Sequence, residues 1–94
     1  MKRYYKNKNV DFKYKKPAAK FFLKHEKMRE EFEESIMKIL NNEHPEQVNF
    51  KKLQGNLKGY SRIAIGSYRI IYQLINGEIV VVSVEYAGSR GDIY

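Results

Sequence analysis

The sequence predicts an α+β domain: a small antiparallel sheet packed against an N-terminal helical hairpin, in the order β-α-α-β-β-β. Three observations lead to it. Apolar residues recur at helical spacing through residues 17–40. β-branched and aromatic residues dominate residues 62–84. Asn76-Gly77 separates two apolar runs, the strongest short-range hairpin signal a sequence carries. A chain of 94 residues makes one domain, not two, here residues 1–94.

Residues 1–9 are basic and polar and are expected to form a flexible basic arm. Val10 to Tyr14 then alternates apolar and polar residues. It reads as a short strand with Val10, Phe12 and Tyr14 on one face. Pro17 suits the first turn of a helix, where a missing N–H costs nothing. Ala18, Phe21, Phe22, His25 and Met28 follow at helical spacing, and Phe32, Ile36, Ile39 and Leu40 repeat the pattern. Glutamates and Lys38 fill the remaining positions as a solvated face. Residues 17–40 are thus a helical hairpin or one bent helix, ended by Asn41-Asn42-Glu43-His44-Pro45. Arg62 to Ile65 alternates as a strand, Gly66-Ser67 makes a tight connection, and Ser67 to Ile75 forms the next strand. Asn76-Gly77 implies a type I′ turn. Ile79 to Val84 is almost wholly apolar and should be a central strand. Gly55, Gly59 and Gly66 form no phosphate-binding loop and read as turn residues.

Composition narrows the function. A domain this small buries roughly 60–65% of its unfolded surface, so function should sit on a surface or shallow groove. Cysteine is absent, which removes disulfides, thiolate nucleophiles and cysteine metal sites. With no signal-peptide pattern and no long apolar run, a cytoplasmic location away from membranes is expected. The net charge of +7 favours polyanionic partners, above all nucleic acid. That charge is segregated: residues 28–47 carry six acids against two bases, between strongly basic flanks.

Conventional catalytic signals are missing. His25 and His44 lack ligand spacing, the acids are not paired, and neither a metal nor a cofactor is expected. The arginines are more informative. Three of the five, Arg62, Arg69 and Arg90, lie in or beside the predicted sheet. Gly66-Ser67 falls near the midpoint between Arg62 and Arg69, so a hairpin makes them near cross-strand neighbours. Two guanidinium groups on one strip repel unless a partner supplies negative charge, and their planar donors suit phosphate oxygens. The competing reading is that they pair with Glu85, Glu78 or Asp92 as surface salt bridges. Tyr60, Tyr68, Tyr72 and Tyr86 read as core or half-buried sheet residues.

The segment from Lys52 to Tyr72 resembles the RelE/ParE toxin pattern. It runs Leu53, Gly55, then Gly59-Tyr60, a strand with Arg62, and Gly66-Ser67-Tyr68-Arg69-Ile70-Ile71-Tyr72. The ending Ser89-Arg90-Gly91-Asp92-Ile93-Tyr94 resembles the family's His-Arg-x-Asp-Val-Tyr. The resemblance covers roughly residues 10–94. It implies a type II toxin with a cognate antitoxin protein, acting on mRNA in the ribosome without metal or cofactor. The RNA 2′-OH would attack the adjacent phosphate and leave a 2′,3′-cyclic phosphate. By position, Arg62 would contact the phosphate and Arg69 would stabilise its transition-state charge. Arg90 would assist the phosphate or a flanking base, and Tyr94 would stack on a base or move a proton. Lys51, Lys52 and Lys58 would contact RNA. Two departures stand out: Ala64 where ribonuclease members often carry a second Lys or Arg, and Ser89 where many carry His. They leave open a ParE-like inhibitor that acts on DNA gyrase by binding, or an inactive RNA-binding homologue.

Overall fold

A computed structural model describes residues 4–5, 8–43 and 45–89. Two helices pack on one face of a six-stranded sheet. The strands are β1 (Tyr4–Tyr5), β2 (Lys8–Tyr14), β3 (Asn49–Lys52), β4 (Ser61–Ile65), β5 (Tyr68–Asn76) and β6 (Val80–Ser89). The helices are α1 (Lys16–Leu23) and α2 (Glu26–Asn41). Strand order is β1-β2-β6-β5-β4-β3. The α+β class is as expected, but the sheet is mixed. β2 lies parallel to β6, from Val10 opposite Val80 to Tyr14 opposite Val84. Its alternating apolar face completes the core beside the central strand.

The inner face of the sheet is built by alternation. Val80, Val82 and Val84 are fully buried in β6, and Ile63, Ile70 and Tyr72 join them from β4 and β5. From the helices come Ala18, Phe22, Phe32 and Ile36, the positions that helical spacing picked out. Phe32 lies at the centre, its ring against Phe12 at 6.1 Å, Phe22 at 6.2 Å and Tyr72 at 5.8 Å. Tyr14 donates its hydroxyl to Glu33, tying β2 to α2.

The helical segment is two helices rather than one bent helix. Pro17 stands in the first turn of α1. His25, expected to be helical, is instead the N-cap of α2, and its ring stacks on Phe21 at 4.3 Å. Asn42 ends α2 in the left-handed conformation (φ 54°). The amide of Asn42 bonds to the Ile39 carbonyl, and that of Glu43 to Lys38 at 2.9 Å. This is the Schellman pattern, which satisfies the last carbonyls of the helix.

Three further expectations change. Tyr4–Tyr5 pairs antiparallel with Lys8–Asn9, so this part of the expected arm is sheet; residues 1–3 and 6–7 lie outside the described residues. An extra edge strand, β3, pairs with β4. Its four residues are all exposed, so it carries no burial pattern to read. The β5–β6 hairpin forms, but not through a type I′ turn. Asn76 ends β5 opposite Val80, leaving a three-residue loop from Gly77 to Ile79. The buried valines set that register, since a one-residue slip would turn them to solvent. Gly66, by contrast, has φ 58° as the first residue of the two-residue β4–β5 turn, as a II′ turn requires. Among the described residues, no helix is long and apolar enough to cross a membrane.

Candidate active site

The face of the sheet opposite the helices carries the cations. Arg62 pairs with Ile71, and Ala64 pairs with Arg69, so both arginines project from the same face and stand diagonal to each other. Lys51 of β3 lies directly opposite Arg62 on that face. Like charges in directly opposed positions destabilise a sheet. The expected strip is therefore present, with one more cation than the two arginines.

Nothing described neutralises it. Among the described residues, neither Arg62 nor Arg69 has an ion-pair partner. Glu85 is engaged elsewhere, by Lys15 at 3.1 Å and by the Ser83 hydroxyl at 2.8 Å. Glu78 lies in the hairpin loop beyond the end of β5 remote from Arg69. Arg69 is steadied by donating from Nη1 to the Tyr68 carbonyl at 3.1 Å. A groove of about 690 Å³ opens beside the strip, lined by Asn49, Lys51, Lys52, Gln54, Arg62 and Arg69 among others. It is open and of mixed lining, with Leu53 and Leu57 beside the cations, and does not enclose a small molecule.

The structure thus brings Arg62, Arg69 and Lys51 together; Lys52, opposite Ser61 in the row of Tyr72, borders the groove from the other face. Lys58 lines a separate, mainly apolar groove with Ile39, Phe50 and Leu74, which Lys52 also borders. Arg90 and Tyr94 lie outside the described residues, as do His44 and Asp92. His25 sits in an aromatic cluster with Phe21 and Tyr68, and the described residues hold no metal-binding group of His, Asp or Glu.

Ala64 leaves a bare strand position directly opposite Arg69, so the approach to that guanidinium is open. Sequence reasoning missed what shares this face on β6. Ile71 pairs with Tyr86 and Arg69 with Gly88, across a register shift that leaves Glu85 as an extra residue. Bulges seldom announce themselves in sequence; here the signal was the Glu85 charge breaking the apolar run.

Tyr72 belongs to the other face. Burial pushes its hydroxyl pKa up from the ordinary tyrosine value, and a hydrogen bond with Ser61 opposes this in part. It is therefore excluded as a proton acceptor near neutral pH. A raised folded-state pKa means that the unfolded chain loses this proton first. Its contribution is complete below about pH 10 and falls as pH rises beyond that. Thermal melts between about pH 9 and 11 should therefore show a steeper loss of stability for wild type than for Tyr72→Phe. Parallel losses would reject this assignment.

A family model described as the ParE toxin of the type II toxin–antitoxin system, parDE, matches residues 12–90. No curated protein matches the sequence. Among solved structures, YafQ from E. coli strain BL21(DE3) superposes with a TM-score of 0.62 at 21% identity, covering 90% of this chain and 98% of that one. A point mutant of E. coli YafQ gives 0.63 at the same identity and coverage. These likenesses concern the fold, and they match it along nearly the whole of both chains.

Proposed function

The chain belongs to the ParE toxin family of type II toxin–antitoxin systems, and from that premise we propose that it is a ribosome-dependent endoribonuclease that cleaves mRNA. The supporting observation is the cluster of Lys51, Arg62 and Arg69 on one open face, which no described residue neutralises. Local rules of stability are broken there, as is expected where a charged ligand completes the arrangement.

The chemistry asks little more of the protein. The RNA 2′-oxygen forms a bond to the adjacent phosphorus and loses its proton, while the bond to the 5′-oxygen breaks and that oxygen gains one. A 2′,3′-cyclic phosphate and a 5′-hydroxyl result. Negative charge grows on the phosphate as attack proceeds, and preorganised cations aimed at it lower the barrier. Arg62 and Arg69 supply that charge, Lys51 and Lys52 hold the flanking backbone, and Arg90 and Tyr94 assist at the phosphate, the flanking base or in proton transfer. RNA brings its own nucleophile, so no metal or cofactor is needed. The partners are mRNA on the ribosome and, as family membership implies, a cognate antitoxin protein.

Primer extension on a reporter mRNA in a translating bacterial extract tests this. Translation-dependent cuts within codons support it. An intact message together with loss of gyrase supercoiling would replace it with the binding-only reading, for which the bare Ala64 position speaks. Lys51→Ala and Lys52→Ala should each weaken RNA binding and lower the slope of log affinity against log salt by about 1. An unchanged slope would remove that lysine from the interface.

A further inference from the structure

The extra residue in β6 turns Tyr86 over. Val80, Val82 and Val84 face the helices and are fully buried. Regular alternation would place Tyr86 and Gly88 on that face too. After Glu85 the phase reverses: Ala87 enters the core at 5% exposure, while Tyr86 and Gly88 share the open face with Ile71 and Arg69. A bulge is the usual device for re-aiming a side chain without ending a strand.

Gly88 is the direct cross-strand partner of Arg69. A Cβ at Gly88 would come within 3.0 Å of Tyr86 Cε1 and 3.3 Å of its hydroxyl oxygen. The phenol therefore occupies the space that a side chain at 88 would fill, and Gly88 is buried although it lies on the open face. This sets the Tyr86 hydroxyl above the residue that faces Arg69. Among the described residues, that hydroxyl has no hydrogen-bond partner.

We infer that Tyr86 is a further substrate-contacting residue, whose hydroxyl donates a hydrogen bond to a phosphate oxygen of the RNA held by Arg62 and Arg69. The inference rests on the ribonuclease reading. A phenol can donate, and donation to an anion is stronger than donation to a neutral acceptor. The ring is held against the strand, so little freedom is lost on binding. The glycine at 88 makes room for the ring.

Two variants separate position from chemistry. Tyr86→Phe removes the hydroxyl and keeps the ring over Gly88. Gly88→Ala keeps the hydroxyl but displaces it, since the new methyl would meet the ring at 3.0 Å. The clash is with the end of a side chain, not with backbone, so the fold should adjust. Single-turnover cleavage of the reporter message should slow about 10- to 100-fold in each, the cost of one hydrogen bond to a charged group, with thermal midpoints close to wild type. Wild-type rates in Tyr86→Phe would overturn the inference while leaving the ribonuclease standing. A marked fall in its melting temperature would also overturn it, making the hydroxyl structural. A wild-type protein that cuts nothing would overturn the ribonuclease reading and this contact with it, an outcome distinct from the other two.

Discussion

Arg69→Ala should reduce mRNA cleavage by about 10²- to 10³-fold, the usual cost of removing one preorganised donor aimed at developing charge. Its stability should hardly change. Arg69 is half-buried on the open face and, among the described residues, its side chain makes one hydrogen bond, to the Tyr68 carbonyl. Losing a bond of that kind costs about 1 kcal/mol. Relief of like-charge crowding works in the opposite direction. Arg62→Ala removes the cation that directly opposes Lys51 and should leave the melting temperature level or slightly raised. The double variant should lose less activity than the two single losses multiplied together, because both groups act on one phosphate. Primer extension and thermal melts on the same preparations give both readouts. Full cleavage by Arg69→Ala would remove Arg69 from the catalytic set while leaving the ribonuclease standing. A strong loss of stability in Arg62→Ala would make that arginine a structural residue.

Phe32→Ala should have the largest effect on stability, about 3–5 kcal/mol. The side chain is fully buried and packs against Phe12, Phe22 and Tyr72, joining α1, α2, β2 and β5. A domain of this size has roughly 5–15 kcal/mol in total, so the thermal midpoint should fall by more than about 10 °C. Phe50→Ala is the contrast: at 37% exposure on an edge strand it should cost under about 1.5 kcal/mol. Similar midpoints for the two variants would contradict the core described here. The consequence reaches the site, because Ile70 and Tyr72 anchor from below the strand that carries Arg69 above.

Much of this was legible in the chain. Helical spacing located Phe32 and Ile36, and period-two alternation located Val10, Phe12 and Tyr14, because burial of one face leaves a periodic trace. Gly66-Ser67 between Arg62 and Arg69 placed both on neighbouring strands, and that proximity is what the structure has. The uneven charge and the absence of cysteine pointed to a polyanion partner and away from thiol chemistry. Where burial leaves no trace, reading stopped. β3 is exposed throughout, so neither its existence nor the placement of Lys51 opposite Arg62 could be inferred.

Sequence by itself determined the α+β class, the inward residues of the long elements and the arginine pair, all properties of local period and turn chemistry. Tertiary structure alone decided that β2 runs parallel to the last strand, that the β5–β6 loop has three residues despite Asn76-Gly77, and that Tyr86 faces Arg69's side of the sheet. Each of these depends on register between segments distant in sequence. Register is set by which residues the whole core can bury together, a sum that no local window contains.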